Sequence, residues 1–544
     1  MQNSKKIYCQ KYGLDKNLET GHSKKRSPEK IRCVLMKTNG NEKTENKTSR
    51  KTGVLMPVSS LPSPFGIGTL GKGAYAFIDW LAQAKMKIWQ VLPLLPTGYG
   101  DSPYQSCASD ALNYYFIDFD LLREDGLLDN ADYENIVWSD DERRVDYGRL
   151  FACKVEVLKR AFARFDKTAP EWQAFIQQGA YRDFAVFMSL KKRFRYAPFT
   201  EWEEKYAVCD KKAIDEFTRE NEEEILFWEF TQFLFLKQWN ALRDYAHRKG
   251  IEIMGDMPIY VACDSVEAWK YRKDLFMLDE KGNTSMRAGV PPDAFSEDGQ
   301  LWGNPVYDWK KLKKNGYAWW KQRIRYNFSL FDIVRIDHFR AFDRFYAIPA
   351  DAKTAKEGEW LDGPKSDLFQ DMKNYAIIAE DLGIIDDGVR KLLKDTGYAG
   401  MKVFLFAFDG NIENEYLPCY YDENCVAYTG THDNDTLRAY IEDLDKKSRK
   451  AFEEELENQC LQADVPYLTE TIIEECESVI RLLMSSKANT VIIPMHDILC
   501  LDNSARMNAP STVSGNNWTF RFTEKDFKKR KAAWLASMAE EYQR

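Results

Sequence analysis

Seven short apolar runs, most of which end in an acidic residue or a histidine, limit the folds that this chain can adopt. The runs span 86–94, 250–258, 331–338, 375–383, 402–409, 426–433 and 489–497. Each is continuously apolar and too short for a buried helix, which is typical of strands that are covered on both faces. Amphipathic helical stretches such as 74–85 and 386–398 lie between them. The alternation predicts an α/β protein.

A (β/α)8 TIM barrel with helical insertions between barrel elements is the fold we predict, and a doubly wound open sheet is the alternative. Polar residues collect at the ends of the runs, and a barrel builds its site at the C-terminal rim, where its strands end. We predict a catalytic barrel over 51–544, with a charged, helix-like insertion at about 120–249 and a lid loop at about 287–305.

Residues 1–50 differ in composition from the rest of the chain. They contain thirteen Lys and Arg against five Asp and Glu, few apolar residues and no periodicity. No apolar stretch follows Met1, so the segment does not resemble a secretory signal. We therefore expect a flexible basic N-terminal extension.

The composition argues against three classes of protein. A formal net charge of −8 over 544 residues gives no sign of the basic face that nucleic-acid-binding proteins show. No apolar run approaches the roughly 18 residues that span a bilayer, so we expect no membrane segment. Eleven cysteines without a CxxC pair favour reduced thiols over a disulfide framework or a zinc knuckle. Together with the lack of an export signal, they predict a cytoplasmic protein.

The run at 331–338 reads like a buried strand but contains Arg335 and Asp337. Residues i and i+2 of a strand share a face, so the two side chains are expected to point the same way. The guanidinium would then lower the pKa of Asp337 and keep a nucleophilic carboxylate ionised at neutral pH. A purely structural ion pair would have the same local sequence, so this motif alone leaves both interpretations open.

A second carboxyl, that of Glu380, closes the next run. It follows Asp337 by 43 residues, a spacing that suits one βα unit and therefore a neighbouring strand. Two carboxyls at adjacent strand ends can differ in pKa, so that one is an ionised nucleophile and the other a protonated acid. Glycosidic cleavage with retention uses such a pair about 5 Å apart. Asp256 and Asp433 lie at two further run ends, although a single carboxylate there is often a helix cap or loop anchor.

Three of the five histidines adjoin an Asp at the end of a run: His338, His432 and His496. Such imidazoles could donate hydrogen bonds to substrate hydroxyls or bind a metal. Metal-dependent barrel hydrolases also use His and Asp at strand ends, but they usually carry an HxH pair on an early strand, and this chain has none. We expect no metal and keep the metal-dependent hydrolase as an alternative.

The predicted lid contains aromatic residues among loop-forming residues. The stretch 291–305, PPDAFSEDGQLWGNP, places Phe295 and Trp302 between Pro, Gly and polar residues. A second loop at 96–106 presents Tyr99 and Tyr104. Aromatic rings in such loops can stack on sugar rings, so both loops favour a carbohydrate substrate.

The ordered motifs between residues 53 and 521 resemble those of the 4-alpha-glucanotransferases of glycoside hydrolase family seventy-seven. The motifs are GVLMPVSSLPSPFGIGTLG, GDSPYQS, GDMPIYV, PPDAFSEDGQLWGNP, RIDHFRAF, AEDLG, GTHDNDT, ARMNAPST and GNNWTFR. The chain departs from the family pattern at 107–115, at His496 and at Ser511, which concerns the cleft rather than the catalytic positions. Nothing in the resemblance covers the first 50 residues.

The resemblance implies a retaining transfer of an α-1,4-glucan segment to the 4-hydroxyl of an acceptor glucan or glucose. It also implies that Asp337 is the nucleophile, Glu380 the acid/base and Asp433 a carboxylate that grips sugar hydroxyls. The glucan ligands that it implies are Ser102, Tyr104, Asp256, Gln300, Trp302, Asn304, Arg335, His338 and His432. The family needs no metal or organic cofactor, so the expected partners are α-1,4-glucans such as maltodextrins, glycogen or starch chains.

An amylase-like α-glucan hydrolase is the main alternative, because hydrolysis would use the same two carboxyls. A catalytically idle glucan-binding protein is a third interpretation, and the presence of Asp337, Glu380 and Asp433 argues against it. We expect a monomer or a weak homo-oligomer.

Overall fold

The computed structural model describes residues 50–98, 100–279, 282–292, 297–383, 385–510, 512 and 514–544. The predicted extension at 1–50 therefore lies outside the described residues, apart from Arg50. The loop aromatics Tyr99 and Phe295 and the departure at Ser511 also lie outside them.

Twelve strands run through the described part of the chain. They are β1 (Lys51–Leu55), β2 (Ile88–Gln90), β3 (Glu252–Met257), β4 (Met286–Val290), β5 (Gln300–Pro305), β6 (Ile333–Ile336), β7 (Arg344–Pro349), β8 (Glu359–Asp362), β9 (Ile377–Ala379), β10 (Gly400–Val403), β11 (Cys425–Tyr428) and β12 (Thr490–Pro494).

Helices connect most of these strands. They are α1 (Lys72–Gln83), α2 (Phe119–Glu124), α3 (Tyr147–Arg164), α4 (Pro170–Gln178), α5 (Arg182–Arg193), α6 (Glu204–Ala207), α7 (Lys211–Glu220), α8 (Glu222–Arg248), α9 (Val266–Lys270), α10 (Arg272–Leu275), α11 (Trp309–Lys314), α12 (Ala318–Leu330), α13 (Asp387–Thr396), α14 (Leu437–Asp443), α15 (Lys446–Gln462), α16 (Ile472–Ser485), α17 (Met495–Ile498) and α18 (Lys529–Glu541). None of these helices is both long enough and apolar enough to cross a lipid bilayer.

Eight parallel strands form one sheet in the order β10-β11-β12-β1-β2-β3-β6-β9, which confirms the predicted (β/α)8 barrel. The two end strands also meet, because Ile378 forms a parallel bridge with Ala399 and the Ala379 N–H donates to the Ala399 carbonyl at 2.9 Å. The sheet is therefore closed. Its strands are buried on both faces, as their continuous apolarity predicts.

Two barrel strands differ from the apolar runs that predict strands. β1 was not among the seven runs, because Lys51, Thr52 and Gly53 interrupt its apolarity. A Cβ at Gly53 would lie 2.4 Å from the Ile88 carbonyl oxygen, so only glycine allows β2 to approach this closely. The run at 402–409 forms a strand only up to Val403, where a 3-10 turn over Phe404–Phe406 replaces the ladder.

The segment predicted as a lid loop at about 287–305 begins and ends as strand. β4 and β5 pair antiparallel with each other, and with β7 and β8 they form a four-stranded sheet in the order β5-β4-β7-β8. The second ladder partner of β4 is β7, which lies more than 50 residues further along the chain. The Pro- and Gly-rich sequence of the segment does not reveal this pairing, because β7 is distant in sequence. We keep the name lid segment for residues 287–305.

The stretch at about 120–249 contains the helices α3 to α8, between β2 and β3. The longest, α8, spans 27 residues and carries a core of aromatic side chains including Phe227, Trp228, Phe230 and Trp239. It packs against α5 on one side and against β3 on the other. The stretch therefore supplies both a barrel-covering helix and a layer of helices outside it.

Candidate active site

Four barrel strands bring the predicted carboxyls to one end of the barrel. Asp256 belongs to β3, Asp337 follows β6, Glu380 follows β9, and Asp433 lies in the loop after β11. Because parallel strands end at the same rim, residues that are far apart in sequence meet there. The rim surrounds a cleft of about 560 Å³.

Eleven of the twelve predicted site residues line this cleft. They are Ser102, Tyr104, Gln300, Trp302, Asn304, Arg335, Asp337, His338, Glu380, His432 and Asp433. The twelfth, Asp256, is not part of the lining and is only 2% exposed. The structure therefore places Asp256 beneath the cleft, where it contacts other site residues rather than the cleft itself.

Arg335 connects the floor of the cleft to this buried carboxylate. Its Nη1 donates to both oxygens of Asp256 at 2.8 Å, and its Nη2 lies 3.2 Å from Asp337 Oδ1. The Tyr104 hydroxyl also donates to Asp256 Oδ2, at 2.8 Å. The predicted contact between Arg335 and Asp337 is present, but Asp337 shares the guanidinium with Asp256.

Glu380 is held by two backbone N–H groups. Its Oε2 accepts from the His338 N–H at 2.7 Å, and its Oε1 accepts from the Leu382 N–H at 2.8 Å. His338 has φ 48° and ψ 47°, in the left-handed region that costs a non-glycine residue about 1 kcal/mol. This conformation aims the His338 N–H at Glu380, so local backbone strain is part of how the carboxyl is placed.

Burial, more than the neighbouring cation, sets the protonation of the two carboxyls. Loss of solvent raises the pKa of Asp337 to about 8; Arg335 acts in the opposite direction, and Glu380 raises the pKa further. Burial also raises the pKa of Glu380, against the effects of Arg335 and the two N–H donors. The lowered Asp337 pKa expected from sequence is therefore not found. Both shifts keep a proton on the pair up to a higher pH than on exposed carboxyls.

The two histidines of the cleft are neutral. Burial, with a smaller effect of Arg340, lowers the pKa of His338 to about 3, and burial lowers the pKa of His432. The His338 ring stands nearly perpendicular to Trp302 at 4.8 Å, and its Nε2 is buried without a hydrogen-bond partner among the described residues. The His432 ring stacks on Tyr104 at 5.1 Å. Neutral rings in these positions can exchange hydrogen bonds with hydroxyl groups.

His496 does not belong to this group. It is buried at the start of α17 and is not part of the cleft lining. Burial lowers its pKa, so its ring is neutral as well. Among the described residues, no three or more His, Cys, Asp or Glu side chains are grouped in a way that could hold a metal ion.

Asp433 is oriented by a segment that sequence reasoning did not assign to the site. Asn508 Nδ2 donates to Asp433 Oδ1 at 2.7 Å, and Arg506 Nη2 donates to the Asp433 carbonyl at 2.8 Å. Asn508 also lines the cleft, as does Trp518, whose ring lies 5.8 Å from those of Tyr104 and His432. The only signal in the sequence was the family-like motif that contains these residues.

The lid segment is fastened to the loop after β2. Gln105 and Asn304 exchange amide hydrogen bonds at 3.0 and 3.2 Å, and Asn304 also donates to the Val261 carbonyl at 2.8 Å. Trp302 Nε1 donates to Gln300 Oε1 at 3.0 Å. These contacts hold Trp302 and Gln300 on the wall of the cleft. Gln105 was not predicted, although it lies next to Tyr104 in the motif SPYQS.

Comparisons with known proteins agree with this geometry. A family model described as 4-alpha-glucanotransferase matches residues 56–526. A 4-alpha-glucanotransferase of Clostridium butyricum is 42% identical over 481 residues, which covers 87% of this chain and 96% of the relative. One of Thermus thermophilus is 41% identical over 514 residues, which covers 91% of this chain and 99% of the relative.

A solved structure is similar as well. The amylomaltase of Streptococcus agalactiae in complex with acarbose superposes with a TM-score of 0.86 at 38% identity, covering 91% of this chain and 99% of that one. The family match spans most of the barrel, and the full-length relatives share one activity. The chain therefore belongs to the 4-alpha-glucanotransferase family, glycoside hydrolase family seventy-seven.

Proposed function

We propose that this 4-alpha-glucanotransferase cuts α-1,4-glucans by double displacement, with Asp337 as nucleophile and Glu380 as acid/base. The observation that carries the proposal is that the carboxyls of Asp337 and Glu380, at the ends of the adjacent strands β6 and β9, line one cleft; the pKa of each is raised. A retaining glycosidase needs one ionised and one protonated carboxyl on the two sides of the scissile bond.

In the first step Asp337 attacks the anomeric carbon and the bond from that carbon to the leaving glucan oxygen breaks. Glu380 donates its proton to that oxygen, so the leaving glucan departs with a neutral 4-hydroxyl. Arg335, 3.2 Å from Asp337, acts in favour of a negative Asp337. The proposal requires that the proton of the pair lies on Glu380 when the glycosidic bond breaks. The product of this step is a glucan chain esterified to Asp337.

In the second step an acceptor glucan takes the place of the leaving one. Glu380, now ionised, removes the proton from the acceptor 4-hydroxyl, and that oxygen attacks the anomeric carbon. The bond to Asp337 breaks and the carboxylate is restored. Two inversions give net retention, and no bond is oxidised or reduced.

The remaining predicted ligands have roles that follow from their positions. Asp433 is proposed to bind sugar hydroxyls and to balance the positive charge that develops on the ring in the transition state. His338 and His432, both neutral, are proposed to hydrogen-bond to sugar hydroxyls. Asp256 acts from below the floor, because it contacts Arg335 and Tyr104 and does not line the cleft.

Transfer prevails over hydrolysis only when water is kept from the covalent intermediate. Water is present at about 55 M, so the cleft must exclude it and hold an acceptor in line. We propose that Trp302 and Gln300 of the lid segment cover the bound glucan. The Gln105 and Asn304 amide pair supports this role, because it keeps β5 against the cleft wall.

The substrate class that we propose is α-1,4-linked maltodextrins, including the outer chains of glycogen or starch. The acarbose bound by the Streptococcus agalactiae amylomaltase is consistent with this class. A cytoplasmic location is a further proposal. The nine cysteines of the described part of the chain are all free thiols, which suits a reducing compartment.

Incubation with maltotriose tests the proposal. Transfer conserves the number of reducing ends while it redistributes chain lengths into glucose and longer glucans, whereas hydrolysis adds one reducing end per turnover. We expect glucose and maltodextrins longer than maltotriose to form with a constant count of reducing ends. Reducing ends that rise in step with glucose would overturn transfer and favour the hydrolase, while leaving the roles of Asp337 and Glu380 intact.

A further inference from the structure

One buried carboxylate, that of Asp497, holds both ends of the loop that carries Asp433. Asp497 lies on α17 and is 1% exposed. Its Oδ2 accepts a hydrogen bond from Thr429 Oγ1 at 2.5 Å, where the chain leaves β11. Its Oδ1 accepts from the N–H of Leu437 at 2.8 Å, the first residue of α14. Residues 429–437, the Asp433 loop, are therefore fastened at both ends to a single side chain.

The chain that follows α17 fastens the middle of the same loop. The Asn508 N–H donates to the His432 carbonyl at 3.1 Å, and the Asn508 side chain reaches the Asp433 carboxylate. Arg506 forms an ion pair with Asp435 and also donates to the Asp433 carbonyl. Asp433 is thus held by this segment at its backbone and at one carboxylate oxygen.

We propose that Asp497 is a positioning residue of the transfer reaction, which fixes the place of Asp433 without touching the substrate. Asp497 is not part of the cleft lining and is buried behind the Asp433 loop. The inference rests on the proposed function, because it requires that Asp433 contacts the donor sugar. Asp497 would then affect the reaction through the Asp433 loop and not through contact with the substrate.

The chemistry of the contacts explains why a carboxylate suits this position. A carboxylate has only acceptor atoms, and the hydroxyl and backbone N–H that hydrogen-bond to it both donate. His496 Nε2 lies further away, 3.6 Å from Oδ1. An apolar side chain would leave both donors buried and unpaired, so the loop would shift to find other partners. Catalytic groups act within about 0.5 Å of their productive place, and a shift of about 1 Å costs about 100-fold in rate.

Two substitutions at Asp497 test the role in the full-length enzyme, with maltotriose as substrate. Asp497→Leu removes both acceptors, and we expect kcat to fall about 100-fold while KM changes less than about threefold. Asp497→Asn keeps an acceptor for the Leu437 N–H, and its amide can donate to Thr429 Oγ1, so we expect it to retain at least about a tenth of the rate. Acarbose should bind more weakly to Asp497→Leu than to Asp497→Asn.

Glu475 provides a matched control. It is also a carboxylate that is 1% exposed, but it forms an ion pair with Arg449 and does not line the cleft. We expect Glu475→Leu to lower the thermal midpoint and to leave kcat and acarbose binding unchanged. If Asp497→Leu loses activity only to the extent that Glu475→Leu does, Asp497 is merely structural and the inference is overturned.

A double substitution separates this inference from the function on which it rests. If Asp497 acts through Asp433, adding Asp497→Leu to Asp433→Asn should slow the residual rate by no more than about threefold. Losses that multiply in the double variant would overturn the inference. A wild-type rate for Asp433→Asn alone would instead overturn the role proposed for Asp433. Should Asp497→Leu fail to fold, Thr429→Val removes one of the two bonds, and we expect about a tenfold lower kcat; an unchanged kcat would overturn the inference.

Discussion

Arg335 binds both oxygens of Asp256 at 2.8 Å and one oxygen of Asp337 at 3.2 Å. Of these two carboxylates, Asp337 lines the cleft and Asp256 does not. One guanidinium charge therefore serves two carboxylates, on β3 and after β6. The buried Asp256 takes the shorter contacts, and its negative charge raises the pKa of Asp337. Loss of solvent keeps the pKa of Asp337 high against the effect of Arg335, and the negative charges of Glu380 and Asp256 raise it further.

The first prediction concerns the nucleophile. Asp337→Asn should reduce the rate with maltotriose at least about 1,000-fold, equivalent to about 4 kcal/mol in the barrier, because an amide cannot attack the anomeric carbon. The thermal midpoint should stay the same or rise, since the change removes a carboxyl whose negative charge is disfavoured by loss of solvent and by Glu380. Rate assays and thermal unfolding measure the two effects.

The same strand offers a control for this substitution. Asp332 precedes β6 and forms ion pairs with Arg243 and His247 at 2.9 Å, away from the cleft. Asp332→Asn should lower the thermal midpoint and leave the rate unchanged. An Asp337→Asn variant with more than about a tenth of the wild-type rate, a barrier change below ~1.4 kcal/mol, would show that the nucleophile is a different group.

The second prediction concerns pH. Catalysis needs the proton that the carboxyl pair shares, and that proton is lost as pH rises through the raised pKa, which is about 8 for Asp337. The value of kcat/KM should therefore fall above about pH 8, by about tenfold per pH unit. An activity that began to fall near pH 5 would mean that both carboxyls ionise as ordinary exposed groups do.

Unfolding experiments provide an independent measure of the same proton. Between the ordinary carboxyl pKa values and about 8, the folded pair binds a proton that the unfolded chain has released. The pair's contribution to the free energy of unfolding is therefore largest at low pH and decreases as pH rises, by up to about 1.4 kcal/mol per pH unit. Asp337→Asn should remove most of this slope. Parallel slopes for the two proteins would contradict the raised pKa.

The third prediction concerns the buried partner of Arg335. Asp256→Asn removes a negative charge that raises the pKa of Asp337, so that pKa should fall. The alkaline limb of kcat/KM should move to lower pH, while KM changes less than kcat because Asp256 does not line the cleft. A large rise in KM with an unchanged pH profile would indicate that Asp256 binds substrate directly.

The fourth prediction concerns water exclusion by the lid segment. Trp302→Ala should raise the ratio of hydrolysis to transfer about tenfold, since water gains access to the covalent intermediate. Trp302→Phe keeps a ring against His338 and loses only the indole hydrogen bond to Gln300, so it should change the ratio less. Counting reducing ends against glucose released from maltotriose gives the ratio. Equal ratios in all three proteins would assign water exclusion to another segment.

The fifth prediction concerns the start of the described chain. Removal of residues 1–49 should leave the thermal midpoint and the rate unchanged. Arg50 is different, because its guanidinium donates to the Tyr542 carbonyl at 3.0 Å and to the Met484 carbonyl, at the end of α16, at 3.2 Å. Arg50→Ala should cost about 1 kcal/mol of stability at an unchanged rate. A large drop in the thermal midpoint after removal of 1–49 would show that the extension packs on the barrel.

Local pattern was sufficient to predict the barrel and most of the site. Continuous apolar runs between amphipathic helices specify strands that are buried on both faces, and strand-end residues such as Glu380 must then gather at one rim. The runs missed β1, since Gly53 is required by the close approach of β2, which no local pattern shows. The family-like motifs supplied the remaining ligands.

Long-range contacts decided what the sequence could not. Burial depends on the whole fold, so the sequence predicted the contact of Arg335 with Asp337 but gave the wrong direction for the pKa of Asp337. The ion pair between Arg335 and Asp256 joins two strands, and the two residues are 79 positions apart in sequence. Asp497 accepts hydrogen bonds from Thr429 and Leu437, which lie 68 and 60 residues before it in the chain. Sequence therefore determined which groups meet at the rim, whereas the tertiary structure decided how charge and orientation are divided among them, because both depend on neighbours that only the closed barrel brings together.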